Sequence, residues 1–351
     1  MTRFLPYIHN LRGLAILFIV GVHARAYEYN WAQHPEGYDF FVTLFDNGTV
    51  LFVFIAGFLF QHLNHGKFDL KNYFRQKLRY VALPYLIISI PILIFRLVYG
   101  AGELHQLPEG FDDHSLLYKI FFYLATGMHM VPFWFMPMIF LIYLTSPLLH
   151  ALDQKKFYQF VLPVIFTAGM YTYRPLNNSS PVLAYLHFLP IYLTGMGASF
   201  YKKEIVALYN KILIPLIFIY AAISAAELAD LITLDKKMNF NKVLNESLLV
   251  FNVYVFKAMI LCFILMLLFY KYQDRKFRLL NLLGSFSFGI YFLHFYFISF
   301  FRQALLEMQV ELSFTVISFL GFYALILLLS IAAVYLIKLI SGKYSRYLVG
   351  S

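Results

Sequence analysis

Residues 11–24 read LRGLAILFIVGVHA. Nearly every side chain is apolar, yet Arg12 stands near one end and His23 near the other. At about 100° per residue, their separation of eleven residues makes about three full turns plus about 20°, so both side chains lie on one helix face. The rise is roughly 16 Å, about half of a bilayer's hydrocarbon core. Ala15, Ile19 and Ala26 fall near the same stripe, and small residues there leave room for a partner helix or a ligand. An arginine at membrane depth costs roughly 2.5–3.5 kcal/mol on insertion scales, so such residues usually face a polar interior. The bland alternative is that Arg12 snorkels to the cytoplasmic edge and His23 bonds a backbone carbonyl. His23 is also the side-chain type that exchanges protons near neutral pH.

Outward from this stretch the whole chain has the same character. Its 351 residues are 61% hydrophobic and 13% charged, against about 45–50% and about 25% in soluble domains. The pattern predicts an all-α, polytopic membrane helix bundle, one membrane-embedded domain over 1–351 with no soluble accessory domain. The first apolar run, Tyr7 to Tyr27, ends in HARAYEYN, too bulky and polar for a signal-cleavage site, and reads as a retained span. Cys262 is the single cysteine, which excludes an intrachain disulfide, and no zinc or redox motif occurs.

About ten spans are expected, at 7–27, 40–62, 80–99, 131–152, 157–173, 183–200, 211–232, 248–270, 282–303 and 312–338. With both termini cytoplasmic, the inner segments hold most of the cations: Arg3; Lys67, Lys71, Arg75, Lys77 and Arg79; Lys155 and Lys156; Lys202, Lys203 and Lys211; Lys271, Arg275, Lys276 and Arg278; Lys338, Lys343 and Arg346. The outer segments hold Lys119, Arg174, Lys236, Lys237, Lys242 and Arg302. The net charge of +10 is therefore mostly topology, and no nucleic-acid partner is needed. Segment 233–247 runs against the rule, whereas outer segment 28–40 has no Lys or Arg. A short interfacial helix is expected at LLYKIFFYLATG, 116–127. No Gly-rich nucleotide loop of the G-x-x-x-x-G-K-S/T type occurs, which argues against an ATP-driven pump.

The Arg-x10-His of RGLAILFIVGVH, 12–23, resembles the first span of the acyltransferase-3 family of integral-membrane O-acyltransferases. Three further stretches agree in order: GTVLFVFIAGFLF, 48–60; FRQKLRYVALPY, 74–85; and LLGSFSFGIYFLHFYFI, 282–298, with its Ser-x-x-x-Tyr-x-x-His. HMVPFWFMPMIFLIYLTSPLL, 129–149, and FLPIYLTGMGASF, 188–200, add weaker agreement.

The resemblance implies an acyl-CoA donor (acetyl-CoA or succinyl-CoA) on the cytoplasmic side, no tightly bound cofactor, and a sugar hydroxyl of an exopolysaccharide or cell-surface glycan as acceptor. It further implies a bacterial inner-membrane location and work beside a polysaccharide synthase. In that picture Arg12 steadies anionic parts of the donor and His23 is the general base. Family members often have two residues between the paired arginines before the third span, where Arg75 and Arg79 have three; at i,i+4 they still share a helix face and could clamp phosphate, or serve only as positive-inside charge. Val50 and Ala56 stand where many members have an acid and a serine, which suggests the poly-N-acetylglucosamine adhesin branch.

The resemblance also gives Tyr291 and His294 a place in the substrate path, with a hydrogen-bonded pair joining helices as the alternative. Trp134 is a ring for stacking on sugar or adenine, or an ordinary interfacial tryptophan. The DDH at 112–114 reads as a solvated loop, and no metal is expected. The competing reading for the whole chain is a glycan exporter or flippase, which has no particular need of a general base midway along the first span.

Overall fold

The computed structural model describes residues 4–25, 40–41, 44–100, 107–175, 180–229, 237–238, 253–310 and 315–351. Helices dominate: α1 (Pro6–Arg25), α2 (Gly48–Asn64), α3 (Leu70–Tyr99), α4 (Leu116–Thr126), α5 (Val131–Ala151), α6 (Phe157–Gly169), α7 (Pro181–Phe200), α8 (Lys202–Ala207), α9 (Tyr209–Leu228), α10 (Val253–Lys271), α11 (Arg278–Glu307), α12 (Val316–Ser341) and α13 (Ser345–Leu348). A two-residue parallel pair, Arg174–Pro175 with Lys237–Met238, is the β-structure among the described residues. The protein is a multi-pass, all-α membrane bundle. In lipid every backbone polar group must be satisfied within the segment, which helices achieve.

Among the described residues, eight helices are long and apolar enough to cross a membrane. The expected spans 40–62 and 157–173 fall instead on the shorter apolar helices α2 and α6. Helix α6 stops at Gly169, where Pro190 of α7 presses so closely that a Cβ would meet its ring. The outer faces of α9 and α12 are apolar and unpacked: Phe218, Ile317 and Ile340 are 74%, 83% and 85% exposed, a surface that suits acyl chains. The expected interfacial helix is α4, capped by Ser115 Oγ accepting from Tyr118 N at 3.3 Å and ended by Gly127 at φ 73°. Segment 28–40, Phe40 excepted, and segment 233–247, Lys237–Met238 excepted, lie outside the described residues.

The chain forms two compact units. The first comprises residues 1–7, 53–74 and 91–274. Here α2 and α7 cross at reciprocal glycines: a Cβ on Gly57 would strike the Tyr192 carbonyl, and one on Gly195 the Phe54 carbonyl. Small residues of this kind let backbones approach where no hydrophobic effect drives association. Lys257 of α10 pairs with Glu227 of α9 beneath the Tyr220 ring, and Cys262 is fully buried.

The second unit comprises residues 8–52, 75–90 and 275–351. Helix α11 is its hub. Helix α1 meets it at Gly13 and Gly284, where a Cβ would collide with the Leu280 and His9 carbonyls. Helix α12 packs along it at Gly289 and Val334, and Tyr296 OH donates to the Ile88 carbonyl of α3. Tyr323 OH of α12 donates to the Leu17 carbonyl at 3.1 Å. Helix α12 begins with a reciprocal cap between Thr315 and Ser318, both bonds 2.9 Å.

Candidate active site

Within the second unit, α1 and α11 bring together two histidines that lie 271 positions apart in sequence. His294 Nε2 and His23 Nδ1 are 2.9 Å apart, and the ring centroids are 5.0 Å apart. His294 is fully buried and His23 half-buried. The Phe295 ring stands edge-on to His23 at 5.7 Å.

The hydrogen-bond network assigns the tautomers. His294 Nδ1 lies 2.9 Å from the Ile290 carbonyl, which only accepts, so Nδ1 carries the proton. In a neutral imidazole the other nitrogen is then the acceptor. His294 Nε2 therefore accepts from His23 Nδ1–H, and the lone pair of His23 resides on Nε2. A buried imidazole is cheaper neutral than charged unless paired with an anion. The arrangement fixes one tautomer and one ring orientation at His23, as an orienting group does for a general base.

Arg12 lies on the same helix but away from the pair. Its Nη2 donates to the Gly284 carbonyl, which also accepts from Ser287 Oγ at 3.1 Å. The close crossing at Gly13 and Gly284 makes this reach possible. Arg12 Nε is buried with no hydrogen-bond partner among the described residues. One turn before it, His9 Nε2 donates to the Asn281 carbonyl at 3.0 Å.

Tyr291 is buried one turn before His294 on α11, with its ring centroid 6.4 Å away. Arg75 and Arg79 belong to the same unit, exposed on α3. The helix opens into a π-turn over Leu78–Ala82. An i→i+5 turn holds one residue more than an α-turn. The third residue between Arg75 and Arg79, which departs from the family spacing, sits beside that widened turn. Arg75 lies in the α-helical turn before it and Arg79 within it.

Trp134 belongs to the other unit. It is 7% exposed, with the Arg174 guanidinium 4.1 Å from its ring centroid and the Phe188 ring stacked on it at 5.8 Å. Sequence reasoning named His23 and His294 separately and did not pair them. Their common chemistry, two histidines in apolar helices, was the available signal.

The family profile described as an acyltransferase domain matches residues 5–339, a range that contains α1, α11, His23, His294, Arg12, Tyr291, Arg75, Arg79 and Trp134. Comparison with curated proteins gives no match, and comparison with solved structures gives none.

Proposed function

The chain belongs to the acyltransferase-3 family, and we propose that it moves an acetyl or succinyl group from cytoplasmic acyl-CoA to a hydroxyl of an exopolysaccharide or other surface glycan. The observation that carries this reading is the His23–His294 hydrogen bond at 2.9 Å, which puts the basic lone pair of His23 on Nε2.

In the proposed reaction the acceptor oxygen attacks the thioester carbonyl while His23 Nε2 takes the hydroxyl proton. The tetrahedral intermediate collapses, the C–S bond breaks, and the sulfur leaves as thiolate. His23 returns the proton to it, so acyl-CoA and sugar alcohol become ester and CoA thiol. His294 accepts from Nδ1–H throughout and holds the ring in place. General acid–base catalysis of this kind contributes about 10²–10⁴-fold. Arg12, with Arg75 and Arg79, supplies positive charge for the anionic donor. Tyr291 lines the path beside His294. The departures at Val50 and Ala56 favour the poly-N-acetylglucosamine adhesin branch; the bacterial inner-membrane location and a neighbouring polysaccharide synthase follow from the family.

The test is a proteoliposome assay with labelled acetyl-CoA or succinyl-CoA on the cytoplasmic face and poly-N-acetylglucosamine oligomers on the other. Label on the glycan supports the reading and identifies the acyl group. Unlabelled glycan crossing the membrane with neither donor consumed overturns it in favour of an exporter.

A further inference from the structure

The inner end of the second unit is strongly one-signed. Arg12, Arg75, Lys77, Arg79, Arg275, Lys276, Arg278, Lys338, Lys343 and Arg346 all belong to it. Among its described residues the acids are Asp46 and Glu307. Asp46 pairs with Arg25 at 3.3 Å. Glu307 ends α11 and lies 23 positions beyond Gly284, roughly 35 Å along the axis. Neither neutralises the cluster. A set of cations in excess over acids, against low-dielectric walls, concentrates anions.

The segment after α12 adds a structured element to this cluster. Gly342, at φ 53°, turns the chain, and α13 folds back onto the π-turn of α3. Tyr347 stacks on Tyr80 at 5.5 Å, and the Arg346 guanidinium lies 4.3 Å from the Tyr80 ring centroid. Two hydrogen bonds pin the segment: Ser345 Oγ donates to the Ser351 carbonyl, and Ser351 Oγ accepts from Gly289 N, both at 2.8 Å. A Cβ on Gly350 would press on Phe288. The segment thereby rests on α11 at Phe288 and Gly289, little more than one turn beyond the Gly284 carbonyl that Arg12 holds. From α12, Lys338 Nζ sits 4.7 Å from the Phe286 ring centroid. The Arg12 guanidinium is already committed at Nη2 to Gly284, and its buried Nε has no partner among the described residues. Two like charges held together, one with an unmet donor, make a site that an anion would complete. Arg346 lies beyond residues 5–339 matched by the family profile.

We propose that Arg346, held over Tyr80 by the folded-back 342–351 segment, is the second cation of an anion site headed by Arg12, and that this site takes a phosphate group of the acyl-CoA donor. The inference rests on the donor reading above and adds a binding residue to it. The same phosphate chemistry occurs in anionic lipid headgroups, and the experiment separates the two sources.

The experiment is CoA binding to the full chain in nanodiscs of phosphatidylcholine, repeated in discs containing phosphatidylglycerol, for wild type, Arg346→Gln, Arg346→Lys and Tyr80→Leu. The expected result in phosphatidylcholine is a CoA Kd weakened about three- to tenfold by Arg346→Gln, with a shallower salt dependence. Arg346→Lys should keep most of the affinity, and Tyr80→Leu should lose about two- to fivefold as the cation–π shelf goes. In turnover, donor KM should rise with kcat retained, the mark of lost ground-state binding. The Lys and Leu variants keep the test decisive if Arg346→Gln does not fold. Unchanged CoA affinity in all three variants overturns the role of Arg346 and leaves the donor reading standing. If only phosphatidylglycerol retention depends on Arg346, the assignment to the donor is overturned in favour of a lipid headgroup. A wild type that binds no CoA overturns the donor reading and this inference with it.

Discussion

His294 Nε2 accepts a hydrogen bond from His23 Nδ1 across 2.9 Å, while His294 Nδ1 donates to the Ile290 carbonyl at the same distance. This chain of two bonds ties the orientation of a side chain in the first helix to the backbone of α11. It predicts that His294→Ala lowers kcat about ten- to a hundredfold through misorientation of His23, with donor KM nearly unchanged. Steady-state kinetics in proteoliposomes check it; equal losses in kcat and in protein stability, with no effect specific to turnover, would count against the orienting role.

The crossing of α1 and α11 depends on Gly13 and Gly284. Gly13→Val would drive a side chain into the Leu280 backbone carbonyl, which cannot rotate away. Overpacking of this kind costs about 1–3 kcal/mol and here also separates His23 from His294. The expected outcome is a lower Tm in detergent together with loss of transfer. A Gly13→Val protein with wild-type Tm would show that the helices are not so closely apposed.

In the first unit, Lys257 is 5% exposed and pairs with Glu227. Glu227→Gln leaves a buried ammonium without its counter-charge, a change worth about 3–5 kcal/mol when a pair is fully buried. The side chain of Glu227 retains 21% exposure, so the lower end is expected. Lys257→Met combined with Glu227→Gln should restore most of the loss. Thermal unfolding of the single and double variants measures it, and equal stability of the two would refute the pairing.

His129 lies outside the spans, fully buried, with Nδ1 donating to the Tyr123 carbonyl at 2.9 Å. Burial, aided by the nearby Arg96 and opposed by that hydrogen bond, lowers its pKa to about 4. The histidine is neutral in the fold at pH values where the unfolded chain already binds a proton. Its contribution is thus intact above the ordinary value of about 6.5 and is lost as pH falls toward 4. The loss across that window is on the order of 3 kcal/mol. His129→Gln should flatten the fall of Tm between pH 6.5 and 4 relative to wild type, and an unchanged slope would contradict it.

Much of this architecture was legible in the sequence, because lipid imposes a length and a composition on each helix. The stretch 11–24 correctly announced a helix, and the 3.6-residue period placed Arg12 and His23 on one face of it. Less legible were features that depend on partners distant in the chain. The pairing of His23 with His294 spans 271 positions and leaves no periodic trace. The apolar run 157–173 looked long enough to span, but Gly169 meets Pro190 and the helix ends there. The extra residue between Arg75 and Arg79 read as an ordinary i,i+4 spacing, whereas the helix takes a π-turn at Leu78–Ala82. Arg346 counted only as inner-side charge, since nothing local shows that its segment folds back onto Tyr80.

The central claim is that His23 is the general base. Its most direct test is the rate of CoA thiol release, acceptor present, from reconstituted wild-type and His23→Ala proteins. The account predicts a fall of about 10²–10⁴-fold in kcat, with CoA still bound. A His23→Ala protein that releases thiol and acylates the acceptor at the wild-type rate would contradict it.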